Sequence, residues 1–402
     1  MQDKIIKLKL LTKNKKFKLL INEPFDEKII DFIINFGEIL RKKNNNKHKD
    51  LIYLFFWCSK KNILRMKNEF KSKNFTLGRG LAFHLSPSNV PTNFFYSFMF
   101  GILSGNSNIV KIPDFNFPET KIIMDSLEEV LNLKKYKDIK NSNHFIKIKS
   151  DDNKQVEDIS LLSDCRLLWG GDKKINELRK MIVPERCVDI TFPDRYSLSI
   201  ININKFAKIT NLQKNILIKN FFYDSYMFNQ RGCNSPHFVF WVGKVRKNII
   251  NTFWTDLNNF VKKNYILDEK LSFDKYANLI KNIINFPGQK NIKFFKNFLY
   301  VIDLNKTFKN IEFLRGKSGT FYQINIKNID SISNFITKKC QTVTYFGFEK
   351  DIFKSFMLKN NLLGIDRFVP IGKGTEIDVD WDGYNIISSL SRIVKIEDDK
   401  VR

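Results

Sequence analysis

From residue 77 to residue 346, short apolar runs take turns with longer amphipathic stretches, and few folds accommodate that order. Residues 77–85, 108–112, 144–148, 165–169 and 198–203 read as strands. The stretches 92–104, 119–131, 152–163, 174–181 and 211–221 between and after them read as helices. Strands and helices in this order build a parallel, doubly wound sheet that takes ligands at the carboxyl ends of its strands. The stretch beginning at Thr92 is apolar almost all round, which suits a buried helix with Thr92 as its cap. After Cys233 the alternation resumes, with strands at 238–242, 299–303, 320–326 and 342–346. Helices at 249–263, 273–284, 331–336 and 351–359 accompany them. The fold class is therefore α/β with two doubly wound domains. Residues 1–232 form an N-terminal segment plus the first domain, 233–375 the second, and 376–402 a polar tail.

Composition narrows the class. Of 402 residues 43% are hydrophobic, 39 of them Phe, enough for the cores of two domains and too many for a disordered chain. The 17 Gly and 10 Pro are aperiodic, which excludes collagen-like and low-complexity proteins. Charges interrupt Met1-Gln2-Asp3-Lys4-Ile5-Ile6-Lys7 at once, so no signal peptide is expected. The longest apolar stretch, 93–103, falls short of the roughly 20 residues that span a bilayer. Five cysteines (58, 165, 187, 233 and 340) form no CxxC pair, which points to free thiols in a reducing, cytoplasmic compartment. The net charge of +26 is spread thinly, as in Lys13-Asn14-Lys15-Lys16 and Arg41-Lys42-Lys43. It reads as compositional bias and solvated faces, and no nucleic-acid partner is expected. No His/Cys/Asp set has metal-ligand spacing, so no metal is expected.

Two constellations carry chemistry. The first is Ser86-Pro87-Ser88-Asn89-Val90-Pro91, the apolar helix, Leu103-Ser104-Gly105-Asn106, and Val110-Lys111-Ile112-Pro113-Asp114. The second is Asn229-Gln230-Arg231-Gly232-Cys233-Asn234-Ser235-Pro236, a loop between elements. A thiol there is a suitable nucleophile for a thioester or aldehyde carbon, being partly ionised near neutral pH. The other four cysteines sit in or beside apolar runs and read as inert buried thiols. Gly170-Gly171, where a strand meets a helix, would let phosphates approach backbone N–H groups, although a tight turn explains the pair equally. His84 and His237 lie near the two loops; each reads either as a proton donor to an alkoxide or as a ring satisfying a backbone group.

Together these motifs resemble the aldehyde dehydrogenase superfamily, and within it the acyl-CoA reductase (LuxC-type) family, the reductase component of bacterial fatty-acid reductase complexes. Trp169-Gly170-Gly171-Asp172, Asp366-Arg367-Phe368-Val369-Pro370-Ile371-Gly372 and Trp381-Asp382-Gly383-Tyr384 extend the likeness to the end of the chain. The resemblance implies an aldehyde dehydrogenase-like fold, with Cys233 as nucleophile and Asn89 donating to the substrate oxygen. It implies cofactor contacts from Ser86, Pro87, Ser88, Lys111, Pro113, Gly170, Gly171 and Asp172. It also implies a fatty acyl-CoA or an acylated acyl-protein synthetase as acyl donor, and a homo-oligomer to which the tail contributes.

Two departures refine this. Hydrolytic members carry a Glu base in a Leu-Glu-Leu-Gly-Gly segment; here the stretch reads Thr191-Phe192-Pro193-Asp194-Arg195-Tyr196-Ser197. Without a base to activate water an acyl-enzyme persists, which favours thioester reduction over oxidation to free acid. Gly316-Lys317-Ser318-Gly319 stands where a Glu contacts the cofactor ribose, and Lys317 would suit a ribose phosphate, hence NADPH. The expected activity is NADPH-dependent reduction of a fatty acyl thioester to an aldehyde. The alternatives are a cysteine-dependent acyltransferase and an NAD(P)-dependent aldehyde dehydrogenase.

Overall fold

The computed structural model describes residues 2–11, 16–70, 74–87, 90–149, 152–309 and 311–397. The chain divides into two units, one comprising 1–193 with 378–402 and the other 194–377. The boundary at 232/233 expected from sequence is thus replaced by one at 193/194. The strand before Cys233, 196–202, pairs with strands 236–242 and 340–346 that follow it, and the helix between, 211–226, packs on the same sheet.

The first unit begins with helix Gln2–Leu11, followed by helices Glu27–Asn44, Lys49–Trp57 and Lys60–Glu69. Asp26 caps helix Glu27–Asn44 through the N–H groups of Lys28 and Ile29, and Ile29, Phe32, Ile33, Phe36 and Leu40 form its buried stripe. Strands follow as β1 (Phe75–Gly78), β2 (Leu81–Leu85), β3 (Ser107–Lys111), β4 (Asn143–Ile146), β5 (Cys165–Trp169) and β6 (Val188–Phe192). The run read as one strand over 77–85 is two. Gly80 breaks it at φ +142, where an added Cβ would meet the Asp164 carboxylate at 2.2 Å. Strands β2 to β6 form an all-parallel sheet in the order β4-β3-β2-β5-β6. Helix Asn93–Leu103 lies over it with ten of its eleven residues buried, as its unbroken apolar character demands. Thr92 occupies the cap position but makes no side-chain cap bond.

The second unit carries β7 (Tyr196–Asn202), β8 (Pro236–Val242), β9 (Gln289–Phe295), β10 (Leu299–Leu304), β11 (Thr320–Ile326), β12 (Cys340–Phe346) and β13 (Arg367–Pro370). They form one sheet in the order β13-β12-β7-β8-β11-β10-β9, parallel except for the edge strand β9. Helix Asn211–Tyr226 starts at a capping box between Thr210 and Gln213. It packs with helix Lys247–Asn264 on one face of the sheet through Phe221, Phe222, Phe253 and Trp254.

The segment expected to be a polar tail is instead built into the first unit. It contains β14 (Asp380–Trp381), β15 (Tyr384–Asn385) and β16 (Ser391–Val394), and β16 pairs antiparallel with β1. Trp381, Ile386, Ile387 and Leu390 are buried. No described helix is long and apolar enough to cross a membrane.

Candidate active site

Parallel strands gather their carboxyl ends along one sheet edge, and in the first unit that edge collects most of the expected cofactor residues. Ser86 and Pro87 follow β2, Lys111 ends β3 with Pro113 two residues on, and Gly170 and Gly171 follow β5. Strand order reverses there, with β3 and β4 to one side of β2 and β5 and β6 to the other, which makes this edge the topological switch point. Ser88 and Asn89 lie outside the described residues.

The edge fits a dinucleotide. Gly171 is the N-cap of helix Asp172–Arg179, and an added Cβ would meet no atom within 4 Å, so a phosphate can approach that backbone. The Ser86 hydroxyl is buried without a hydrogen-bond partner. Beside Pro113 a cleft of ≈ 680 Å³ opens, lined by Phe115, Phe117, Lys121 and Lys147 among others, which offers aromatic surface and positive charge. Lys111 is no free cation: its Nζ lies 3.2 Å from Asp114 Oδ2. A carboxylate there suits a ribose diol. Lys317 belongs to the other unit, exposed on the loop before β11.

His84 points into the first unit's interior. Its Nε2 donates to Asn108 Oδ1 at 2.9 Å, while its Nδ1 accepts from Ser97 Oγ at 2.8 Å. Ser97 in turn accepts from Trp169 Nε1 at 3.1 Å. Burial lowers the ring's pKa to about 4, the hydrogen bond to Asn108 opposing only in part. With both nitrogens engaged and the ring fully buried, His84 ties β2 to β3 and to the overlying helix; no nitrogen is left to carry a proton to substrate. The sequence alternative of a hydrogen-bond-satisfying ring is the one this geometry matches, with side chains as its partners.

In the second unit, four parallel strands bring their amino ends together around Cys233. The thiol sits on the loop before β8, Ser197 is the second residue of β7 and Gln341 the second of β12, while Arg315 precedes β11. The thiol thus lies at the amino edge of its sheet, whereas the expected cofactor residues of the first unit lie at strand carboxyl ends. Asn229 and Gln230 both take left-handed backbone angles, φ 51 and 59. The turn is held by Gln230, whose Oε1 accepts from the N–H groups of Gly319 and Thr320 at 3.1 Å. Its Nε2 donates to the carbonyls of Pro236 and Thr320 at 3.0 Å. Gly316 passes so close that an added Cβ would stand 1.9 Å from Thr320 O. Its N–H donates to His237 Nδ1 at 3.1 Å, which leaves the ring proton on Nε2. Burial, then the charge of Arg315, lowers that ring's pKa to about 3, so His237 is neutral at physiological pH. Asn234 donates to Gly374 O, and the loop carrying Gly374 is anchored on the buried Asp224 carboxylate through Gly372 N and Gly374 N.

The thiol itself receives Gln341 Nε2 at 3.3 Å, and its backbone carbonyl accepts from Ser197 Oγ at 2.6 Å. Cys233 is half-buried, whereas Cys58, Cys165 and Cys340 are fully buried. Burial pushes the Cys58 and Cys165 thiols far up, Cys340 to about 12 and the half-buried Cys187 to about 11. In the segment where hydrolytic relatives carry Glu, the carboxylate is Asp194, and it pairs with Arg315 Nη2 at 3.2 Å. Gln341, Arg315 and the clamp made by Gln230 were not read from sequence. Gln230 and Ser197 lay inside quoted motifs, and Arg315 just before one, but nothing marked Gln341.

Elsewhere in the first unit, folding brings His48, Asp50 and Glu119 together, ligand atoms within 4.8 Å of one another, a set that sequence spacing did not reveal. His48 Nδ1 lies 2.9 Å from Glu119 Oε1, and burial followed by the Glu119 charge raises the Asp50 carboxyl to about 6.

A parallel sheet with a dinucleotide-type switch point, joined to a second sheet that presents a cysteine, is the aldehyde dehydrogenase fold. The structure is similar to that of a lactaldehyde dehydrogenase, with TM-score 0.64 and 9% identity over 99% of this chain and 91% of that one. It is also similar to glyceraldehyde-3-phosphate dehydrogenase GapN from Methanocaldococcus jannaschii complexed with NADP, with TM-score 0.62 and 13% identity over 98% and 92%. A Thermus thermophilus 1-pyrroline-5-carboxylate dehydrogenase follows, with TM-score 0.61 and 9% identity over 97% and 83%. No curated protein matches the sequence. The chain belongs to the acyl-CoA reductase (LuxC) family, whose model matches residues 60–394, and is an oxidoreductase of aldehyde chemistry.

Proposed function

We propose that the protein reduces a fatty acyl thioester to an aldehyde, using NADPH and an acyl group carried on Cys233. The observation that carries the reading is the Cys233 sulfur, half-buried, held on a clamped loop and hydrogen-bonded by Gln341. Cys233 Sγ attacks the acyl carbon of acyl-CoA or of an acylated partner synthetase. The bond from Cys233 Sγ to the acyl carbon forms, the C–S bond to the donor breaks, and the donor departs as a thiolate with that bond's electron pair. By the family resemblance, Asn89 would donate to the oxyanion, a contribution typically worth about 3–4 kcal/mol. The Asp194 carboxylate is engaged with Arg315, which supports an acyl-enzyme that resists water. Ser86, Lys111, Gly170 and Gly171 would hold the dinucleotide, with Lys121 and Lys147 suited to a 2′-phosphate. When bound, NADPH supplies a hydride for a thioester carbonyl. Cys233 then leaves as thiolate and aldehyde is released.

The test is NADPH consumption with acyl-CoAs of increasing chain length, wild type beside Cys233→Ala. Turnover lost in the variant supports the reading, and the length profile names the substrate. An acyl group on Cys233 by mass spectrometry, without consumption of NADPH or NADH, supports an acyltransferase instead. The Lys111–Asp114 pair favours a second reading for the cofactor, NADH, and equal turnover with both coenzymes would exclude strict NADPH dependence.

A further inference from the structure

One side chain outside the family-like motifs reaches the Cys233 sulfur, and a fixed cation acts on it through its charge. Gln341 is fully buried, and its amide donates to Sγ at 3.3 Å. Burying an amide costs desolvation that an apolar residue of similar size would avoid, so its presence at a strand position facing sulfur calls for a polar task. Arg315 lies within electrostatic reach of the same thiol. It is fixed by Asp194 at 3.2 Å, by the Glu312 carbonyl and by the Tyr196 ring, whose centroid is 5.5 Å from its guanidinium carbon. The Cys233 backbone is tied down separately: Ser197 Oγ donates to its carbonyl and itself accepts Thr342 N at 3.2 Å. Nearby, His237 is neutral, and Arg195 is committed to Asp366 at 2.5 Å and the Cys340 carbonyl. A hydrogen-bond donor and a fixed cation both favour the ionised form of a thiol.

We propose that Gln341 and Arg315 hold the Cys233 sulfur as a thiolate, Gln341 by its hydrogen bond and Arg315 by its charge, so that the nucleophile needs no neighbouring base. The proposal rests on Cys233 being the nucleophile of the function proposed above. The same two groups act at both ends of the reaction. On attack, a sulfur lone pair becomes the new C–S bond and the negative charge passes to the carbonyl oxygen. On collapse, the C–S electron pair returns to sulfur, and Gln341 and Arg315 receive the charge again. Gln341 touches the reacting atom, whereas Arg315 acts through its field and through the segment it orders.

The experiment is the rate of Cys233 alkylation by iodoacetamide as a function of pH. It uses the full chain carrying Cys187→Ser, with labelling located by peptide mass spectrometry. The unperturbed thiol midpoint is about 8.5, and the parent chain is expected below it. Gln341→Met should raise the midpoint by about one to two pH units, with a corresponding fall in labelling rate near neutral pH. Gln341→Glu keeps the size of the side chain and should raise the midpoint further, because a carboxylate repels the thiolate. Arg315→Gln should raise it as well. Midpoints unchanged in folded Gln341→Glu and Arg315→Gln variants overturn the proposal and leave both residues as packing. The assay needs no acyl substrate. A shifted midpoint in a protein that turns over no acyl-CoA therefore defeats the substrate reading alone, and turnover with unshifted midpoints defeats this proposal alone.

Discussion

Gln230 illustrates how much one side chain does at this site. It is 1% exposed and makes four hydrogen bonds that join the loop before β8 to the loop before β11. Gln230→Leu would strand two buried N–H groups at about 1–3 kcal/mol each, so urea unfolding should show a loss of roughly 3 kcal/mol, and Cys233 labelling should lose its site selectivity. Gly316→Ala should act in the same direction, since the methyl has nowhere to go but into Thr320 O. The motif around Cys233 was visible in sequence, but the purpose of its Gln was not: three of its four bonds reach residues 89 or 90 positions away. Gln341, 108 positions from the sulfur it touches, carried no local signal at all.

At the scale of elements, the returning segment after Ile377 completes the first unit. The Arg79 guanidinium donates to Ser389 O, Asn106 donates to Leu390 O, and β16 covers β1. Full burial of Ile386, Ile387 and Leu390 is worth about 1.5–3 kcal/mol each, a sum comparable with the whole stability of a domain. A chain truncated after Ile377 should therefore be cleaved rapidly near 75–107 by a non-specific protease, and a tail serving only oligomerisation would leave that region protected. Most strands and helices matched their apolar periodicity, 165–169 and 320–326 to the residue. The strands missed lacked such a pattern: β6, β9 and β13 are each largely half-exposed or at a sheet edge, β14 and β15 are two residues each, and β16 becomes a strand only through β1.

Across the whole molecule, two fully buried histidines make stability fall in acid. Folding lowers His84 from 6.5 to about 4 and His237 to about 3, burial being the main cause in each. The unfolded chain then takes up protons first, so this stability is complete above pH 6.5 and is lost as pH falls toward those values. Asp224 runs the other way, raised to about 7 by burial, so its contribution declines as pH rises from 3.8 to 7. His84→Gln should lessen the loss of stability between about pH 7 and about pH 5 by about 2 kcal/mol, read as urea midpoints at each pH.

Periodicity by itself determined a two-sheet α/β chain, and loop chemistry singled out Cys233 among five thiols; the resemblance of the ordered motifs added the aldehyde dehydrogenase type. Those properties are written in neighbouring residues, because strand and helix periods and turn chemistry act over a few positions. Only the tertiary structure decided where the units divide, that the tail closes the first of them, that His84 is an internal brace, and that Gln341 meets the sulfur. Each of these depends on which strands pair, and pairing is fixed by burial summed over the whole sheet rather than by any residue's neighbours in sequence.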